Sequence, residues 1–295
     1  MSSERREHAS IWWGTSLLVL VVCAWGICVA VDAVYGAAHE AAGRSAVVVG
    51  RPAAGPPPTT VAPSAPLEVV FWGDSLGWES RNVVTSKFAG RADVHVDART
   101  FGGTAPCDWF IEMSARAATI DVALLQFSGN AFSNCMRDPV TQALPVAAGI
   151  VAKYERDVEF IAQRLTALGA RVVLVGSPPP RRASPGDPSL TLPDMYRSLA
   201  ARLDRVAYVD AGQAVLDRGA WTATLPCLPF EDTSRGCRDG HIPVRAPDGA
   251  HLCPVATPAN EGVVGECAAW SSGAFRYGSA IADAIARQVA ALVNT

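Results

Sequence analysis

Two short motifs, far apart in the chain, contain the residue types of nucleophilic catalysis. Ser75 lies in the tetrapeptide GDSL (residues 73–76), and Asp248 precedes His251 by three residues in DGAHL. A serine hydroxyl becomes a nucleophile when an imidazole accepts its proton, and a carboxylate on the other ring nitrogen fixes the tautomer of that imidazole. The alternative for Ser75 is structural, because serine is a common N-cap of helices.

Two further blocks offer the hydrogen-bond donors that a developing oxyanion needs. Gly102 and Gly103 precede Thr104, and a residue without a side chain lets a backbone N–H approach a substrate oxygen closely. Asn130, in the block Ser-Gly-Asn, adds a neutral amide donor. With the N–H of Ser75 at the start of a helix, these donors predict an oxyanion hole.

Other titratable residues compete for the same roles. His241 follows Asp239 and Gly240 with similarly compact spacing and is the rival base to His251. His95 lies inside a predicted strand, which favours a packed or edge histidine. Asp74, next to the nucleophile, is interpreted as an acceptor that holds the turn rather than as the acid of the triad.

The elements that must position these residues alternate between short apolar runs and helical patterns. The predicted strands are Leu67–Trp72, Asp93–Asp97, Asp121–Phe127, Arg171–Gly176 and Arg205–Asp210. Alternation of strands and helices predicts an α/β domain with a parallel sheet covered on both faces. Ligands of such sheets bind beyond the carboxyl ends of the strands, where three of the four motif blocks begin.

Two long helices follow from apolar side chains at spacings of three and four. The first helix, which ends at Gly169, has an apolar face of Val151, Tyr154, Val158, Ile161, Leu165 and Leu168. The second is the last helix of the chain, with Ile281, Ile285, Val289 and Leu292 on one face. Helices between consecutive strands imply right-handed crossovers.

Composition excludes two classes of function. The chain has 295 residues, 49% hydrophobic and 18% charged, with 25 basic and 28 acidic side chains and a net charge of −3. Nucleic-acid binding draws most of its affinity from clustered basic residues, so no nucleic-acid partner is expected. A chain this apolar is also not a disordered tail.

The N-terminal part differs from the rest. Residues 11–31 carry no charge, and their 21 residues would span roughly 30 Å as a helix, the thickness of a bilayer core. They predict a transmembrane anchor after a cytoplasmic segment, residues 1–10. The alternative is a cleaved signal peptide, although such apolar regions usually have about 7 to 15 residues. Residues 32–66, rich in Pro and Ala, predict a stalk, and residues 67–295 predict one domain.

The cysteines predict the compartment. Cys23 and Cys28 lie in the apolar span, and the other six form an even set without CxxC pairs or zinc-site spacing. Six cysteines allow fifteen pairings. We favour two local loops, which leave a third pair: Cys227 with Cys237, Cys253 with Cys267, and Cys107 with Cys135. Disulfides persist in oxidising compartments, so the domain is expected outside the cytoplasmic membrane; buried free cysteines in a cytosolic domain are the alternative.

From residue 67 onward the sequence resembles the SGNH hydrolases, the GDSL esterase and lipase superfamily. GDSL and DGAHL are close matches, whereas the block around Asn130 departs from the family's Gly-x-Asn-Asp, with Ser128 and Ala131 in place of the glycine and the aspartate. Asn130 itself is retained. The family's glycine is followed by small polar residues, so Gly103 is preferred to Gly102 for the oxyanion hole.

The resemblance implies a three-layer α/β/α, flavodoxin-like fold, no cofactor and no metal. It also implies ester hydrolysis or acyl transfer through an acyl-enzyme on Ser75, with His251 as base. The expected function is an extracytoplasmic, membrane-anchored serine esterase that removes acyl groups, above all acetyl, from cell-surface carbohydrate or lipid. An O-acyltransferase with the same triad and a non-catalytic wall-binding module are the alternatives.

Two weaker features concern the substrate. Trp78 and Trp109 follow motif blocks closely and are candidates for a sugar-stacking wall, although aromatic residues in a first turn usually pack on the core. Arg181 and Arg182 follow three prolines after the fourth strand. They are candidates for binding an anionic polymer, with a solvated basic pair as the alternative.

Overall fold

The computed structural model describes residues 65–254 and 267–293, and its centre is a parallel sheet. The five strands are β1 (Leu67–Gly73), β2 (Val94–Thr100), β3 (Val122–Gln126), β4 (Arg171–Val175) and β5 (Val206–Val209). All five predicted strands are confirmed. The predicted second strand ended three residues too early, because β2 is the edge strand and its outward polar residues hide its continuation, which pairs Thr100 with Gly73.

The strand order places the motif blocks side by side. The sheet runs β2-β1-β3-β4-β5, the doubly wound order of flavodoxin-like folds. The chain leaves β1 toward one edge and later crosses to the other, so a crevice opens between the carboxyl ends of β1 and β3. Ser75 follows β1 and Asn130 follows β3, and both therefore lie at this crevice.

Helices cover both faces of the sheet. They are α1 (Ser75–Ser86), α2 (Phe110–Arg116), α3 (Ala148–Ala167), α4 (Pro188–Arg202) and α5 (Ser272–Val293). The two long helices predicted from apolar spacing correspond to α3 and α5. Leu168 is an exception, because it follows the end of α3 and is exposed, whereas the spacing placed it on the buried face.

Successive residues of each strand contribute to two different cores. Val70 and Trp72 face the core under α2, α3 and α4, whereas Val69 and Phe71 face the core under α1 and α5. This alternation is the two-residue period of a strand, and both of its faces are apolar because both are buried. The result is an α/β fold whose sheet is rigidly packed on both sides.

The segment between β5 and α5 carries the base motif and two small antiparallel hairpins. These are β6 (Leu216–Asp217) with β7 (Ala220–Trp221), and β8 (Thr224–Pro226) with β9 (His241–Pro243). Three disulfides are present, with the predicted pairing: Cys107–Cys135, Cys227–Cys237 and Cys253–Cys267. The second closes the β8–β9 hairpin, and the third begins two residues after His251.

We expect these six cysteines to resist iodoacetamide in protein taken from its native source without reductant. They should resist because a disulfide sulfur is not a nucleophile. After reduction with dithiothreitol, mass spectrometry should find each of them alkylated. A thiol-blocking step before lysis controls for oxidation during preparation. Free alkylation of all six before reduction would contradict both the pairing and a location in an oxidising compartment.

Residues 1–64 lie outside the described residues, and with them the predicted anchor at 11–31 and most of the stalk. Among the helices that are described, none is long and apolar enough to cross a membrane.

Candidate active site

The structure brings Ser75, His251 and Asp248 into one line of hydrogen bonds. Ser75 is the first residue of α1, and its Oγ lies 3.0 Å from Nε2 of His251. The other ring nitrogen, Nδ1, lies 2.6 Å from Oδ2 of Asp248. With the proton on Nδ1, the imidazole donates to Asp248 and accepts from the serine hydroxyl. This is the arrangement of a nucleophile, a base and a residue that orients the base.

A tight loop holds Asp248 in place beside Nδ1 of the imidazole. Its Oδ1 accepts from the backbone N–H groups of Ala250, at 2.8 Å, and His251, at 3.0 Å. Gly249 has a φ of +79°, a conformation that favours glycine, and it lets the chain reverse within three residues. The spacing of three between acid and base is therefore a consequence of this turn.

Opposite charges separate the pKa values of the acid and the base. Burial raises the pKa of Asp248, but the hydrogen bonds from His251 and the loop outweigh it, so that pKa is lowered. Burial lowers the pKa of His251, but the bond to Asp248 and the charges of Glu79, Asp248 and Asp74 outweigh it. The pKa of His251 is therefore raised above 6.5, its ordinary value.

Asp74 connects the carboxyl ends of β1 and β3. Its side chain is fully buried and caps α1 by accepting from the N–H of Leu76. It also accepts from the side chains of Gln126 and Asn130 and from both the N–H and the hydroxyl of Ser128. Burial raises the pKa of Asp74, while these donors stabilise its charge. Asp74 thus holds the turn, as interpreted from the sequence, and also holds the neighbouring block.

The expected backbone donors of the oxyanion hole belong to Ser75 and to the glycines that follow β2. The N–H of Ser75 belongs to the first turn of α1, where backbone donors have no intrahelical acceptor. Gly103 has a φ of +78°, a backbone conformation that favours glycine over other residues. At Gly102 space is limited instead, because a Cβ there would lie 3.1 Å from the ring of Trp78.

Asn130 is held with its amide nitrogen between two acceptors. Nδ2 lies 3.0 Å from Oδ2 of Asp74 and 3.4 Å from the carbonyl oxygen of Thr104. The first hydrogen bond orients the amide, and the second is long. A substrate oxyanion can replace the Thr104 carbonyl as acceptor of that second N–H, because active-site hydrogen bonds tighten when the substrate binds.

Comparisons with known proteins show the family to which the chain belongs. Residues 68–256 match the family described as "Protein of unknown function (DUF459)". The chain belongs to this family. DUF459 is SGNH-like, so the resemblance drawn from the motif blocks is confirmed. No curated protein matches the sequence.

Three solved structures illustrate the similarity of the DUF459 chain to others. The C-terminal catalytic domain of Streptococcus pneumoniae peptidoglycan O-acetyltransferase A has 12% identity and a TM-score of 0.47, covering 76% of this chain and 96% of its own. For the acetylxylan esterase of Geobacillus stearothermophilus the values are 13%, 0.43, 76% and 94%. For a GDSL-like lipase of Bacteroides thetaiotaomicron they are 13%, 0.42, 78% and 92%.

The competing histidines of the DUF459 chain have other partners. His95 lies on the edge strand β2, largely exposed, with Nδ1 2.6 Å from a carboxylate oxygen of Glu68. His241 lies on β9 and its ring nitrogen contacts the carbonyl oxygen of Asp239 at 3.3 Å. Within residues 65–254 and 267–293, no group of His, Cys, Asp or Glu side chains is arranged to hold a metal ion.

The sequence analysis did not identify two charged residues that lie near the base. Glu79, four residues after Ser75 on α1, accepts a 2.7 Å hydrogen bond from the N–H of Leu252. Arg245 is buried under the loop and donates to the carbonyl oxygens of Ala250 and Pro179. Burial lowers the pKa of Arg245 to about 10. The spacing of four from Ser75 was the available signal for Glu79; Arg245 had none.

The structure places Trp78 and Trp109, the candidates for a sugar-stacking wall, in different surroundings. Trp78 stacks on Phe101, with ring centroids 5.7 Å apart and planes inclined by 14°. The sequence analysis did not identify Phe101 as a candidate for stacking, and Phe101 is the exposed member of the pair. Trp109 lies instead in a neighbouring cleft of about 440 Å³, which Phe101 also lines. Of the two rim arginines, Arg181 lies over the ring of Trp221 at 5.4 Å, and Arg182 is exposed.

Proposed function

We propose that the protein is a serine hydrolase that cleaves acyl esters through an acyl-enzyme on Ser75. The observation that carries this proposal is the chain of hydrogen bonds from Ser75 Oγ to His251 Nε2 and from His251 Nδ1 to Asp248. A serine used only as a helix cap has no need of an imidazole at its hydroxyl, and here Asp74 supplies the cap of α1.

The first half of the reaction forms the acyl-enzyme. Ser75 Oγ attacks the ester carbonyl carbon while its proton moves to His251 Nε2, and the carbonyl π electrons move to oxygen. The N–H groups of Ser75 and Gly103 and the amide of Asn130 stabilise that oxyanion. When the carbonyl re-forms, the bond to the alcohol oxygen breaks, and His251 returns the proton to the departing alcohol.

The second half returns the enzyme to its starting state. Water attacks the acyl carbon, gives its proton to His251, and the carboxylic acid leaves as Ser75 regains its proton. The side chains of His251 and Asp248 are 40% and 52% exposed, so solvent reaches the base. This exposure favours hydrolysis over transfer to a sugar hydroxyl, which requires that water be kept away from the acyl-enzyme.

For the substrate we propose short acyl esters, with acetyl as the main group, on cell-surface carbohydrate. The exposed Phe101 ring, stacked on Trp78 beside Ser75, offers a flat apolar surface of the kind on which a sugar ring packs. The adjacent cleft adds Arg99, Asp108 and Glu112, whose charged groups can hydrogen-bond hydroxyls. The same triad would also cleave the ester of a cell-surface lipid.

We further propose that residues 67–295 act outside the cytoplasmic membrane. The three disulfides support this location, because disulfides are rare in reducing compartments. In this proposal residues 11–31 anchor the protein or are removed as a signal peptide, and residues 32–66 separate the domain from the membrane.

The direct experiment measures acid release from p-nitrophenyl acetate and from acetylated oligosaccharide by the full-length protein. Hydrolysis of both supports the proposal. A second series adds deacetylated oligosaccharide as acceptor. If acceptor raises turnover of the small ester and yields acetylated sugar, the protein is a transferase, and if neither substrate reacts, the proposed function is wrong.

Replacing Phe101 by alanine should raise KM for the acetylated oligosaccharide about 3- to 10-fold, because an aromatic stacking partner contributes about 0.5 to 1.5 kcal/mol. With p-nitrophenyl acetate, kcat/KM should change less than about twofold. Phe160→Ala is the matched control, because both side chains are 54% exposed and Phe160 lies on α3 against Phe110. Equal effects of Phe101→Ala on both esters would contradict a sugar platform.

A further inference from the structure

Glu79 lies on the side of α1 that carries the nucleophile. It follows Ser75 by four residues, and side chains four apart on a helix are neighbours on one face. Its Oε2 accepts from the N–H of Leu252 at 2.7 Å, and the N–H of Cys253 also points to this carboxylate. These are the two residues directly after His251. One side chain thus joins the helix of the nucleophile to the loop of the base.

The charge of Glu79 is not needed for this connection. Within the described residues its hydrogen-bond donors are backbone N–H groups, with no cation among them. Burial raises the pKa of Glu79, so the folded protein keeps a carboxylate in a place where ionisation is disfavoured. A glutamine would accept the same hydrogen bonds without that desolvation penalty. The charge therefore points to a second role, directed at His251.

We propose, resting on the proposed function, that Glu79 is a positioning residue: it holds the base's loop against the nucleophile's helix, and its negative charge stabilises the imidazolium that forms when His251 takes the proton of Ser75. Asp248 orients the imidazole through Nδ1. Glu79 acts from the side of α1 and reaches the imidazole through space rather than by a hydrogen bond.

The charged groups around His251 favour its cation. Three carboxylates face it: Asp248 from its own loop, Asp74 from the turn before α1, and Glu79 from α1. The buried Arg245 follows β9, and its charge interacts with that of Asp248. Arg181, in the loop after β4, is exposed to solvent and contacts the loop at Gly249 through its backbone N–H. The hydrogen bond to Asp248 and the charges of the three carboxylates outweigh the effect of burial, and the pKa of His251 is raised in consequence.

Two variants separate the two roles of Glu79. Glu79→Gln keeps an oxygen acceptor for Leu252 and removes the charge, whereas Glu79→Ala removes both. Because the neutral imidazole is the active form, wild-type activity should fall below a midpoint above pH 6.5, the ordinary pKa of histidine. In Glu79→Gln this midpoint should move to lower pH by about 0.5 to 1. Glu79→Ala should in addition lower kcat about tenfold at every pH, with little change in KM, since a displaced base affects the reaction step.

The titration of His251 is also measurable without activity. In a Ser75→Ala background, NMR of the full-length protein follows the imidazole of His251, assigned by the loss of its signal in His251→Gln. Glu79→Gln should lower the titration midpoint by the same amount as in kinetics. Glu155→Gln is the matched control: it removes the same charge from α3, where Glu155 pairs with Arg202, and should leave the midpoint unchanged.

Each outcome decides one statement. An unchanged His251 midpoint in Glu79→Gln overturns the electrostatic role, and wild-type kcat in Glu79→Ala overturns the positioning role. If the wild type hydrolyses no ester while the midpoint still moves, the proposed function fails and the coupling between Glu79 and His251 stands. If esters are hydrolysed and the midpoint does not move, the proposed function stands and the electrostatic role of Glu79 is wrong.

Discussion

Replacing Ser75 by alanine should lower ester hydrolysis by roughly 10⁴- to 10⁶-fold, and replacing His251 by alanine should have nearly the same effect. The double variant should lose little more than either single variant. The reason is that an attacking oxygen and the base that takes its proton act in one step, so that removing either leaves the other without function. The measurement is kcat/KM for p-nitrophenyl acetate, with thermal melting to show that each variant is folded.

A fluorophosphonate probe tests the nucleophile independently of turnover. Wild-type protein should be labelled at Ser75, identified by peptide mass spectrometry, and Ser75→Ala should not be labelled. His241→Ala is the matched control for His251→Ala, because His241 is the other histidine in an Asp-Gly context and lies on β9. Labelling of another serine, or loss of turnover in His241→Ala alone, would show that the triad is assigned wrongly.

Much of this geometry was predictable because a parallel sheet brings the ends of its strands together. Ser75, Gly103 and Asn130 each follow a strand, and the strands β2, β1 and β3 are adjacent in the sheet. A motif that comes immediately after a buried strand therefore has a known place, whatever the intervening loops do. Apolar runs and helical spacing were enough to identify those strands.

Residues that act across the fold were not predictable in this way. Leu252 follows Glu79 by 173 positions, and their hydrogen bond depends on how the last loop meets α1. The stack of Phe101 on Trp78 depends on the close approach of Gly102 to Trp78, and the sequence analysis considered Gly102 only as the second choice, after Gly103, for the oxyanion hole. Arg245 is buried between two carbonyl groups, although arginine in a sequence normally indicates surface.

The departures around Asn130 have a physical explanation in the structure. Ser128, where the SGNH pattern has glycine, donates both its N–H and its hydroxyl to Asp74. Ala131, where the pattern has aspartate, is buried. In addition, the hydroxyl of Tyr154 on α3 donates to the carbonyl oxygen of Asn130 at 2.8 Å. The block is therefore held by Asp74 and Tyr154, and both contacts position the amide of Asn130.

Replacing Asn130 by alanine should slow ester hydrolysis by roughly 10² to 10³, the usual effect of removing one oxyanion donor. The loss should appear in kcat, with KM nearly unchanged, because the oxyanion exists only after attack on the carbonyl. Asp74 loses one donor and keeps Leu76, Gln126 and Ser128. The fold should therefore survive with a loss of about 1 kcal/mol in stability, measured by thermal melting.

Ser128→Ala is the matched variant, because it also removes one side-chain donor from Asp74 but none from the oxyanion hole. If the role of Asn130 is to stabilise the oxyanion, Ser128→Ala should retain kcat within about tenfold while losing similar stability. Equal losses of kcat in both variants would mean that Asn130 acts only by holding Asp74. A near-wild-type rate in Asn130→Ala would place the third donor elsewhere. The next residue to replace would then be Thr104, which carries a hydroxyl and follows the two glycines.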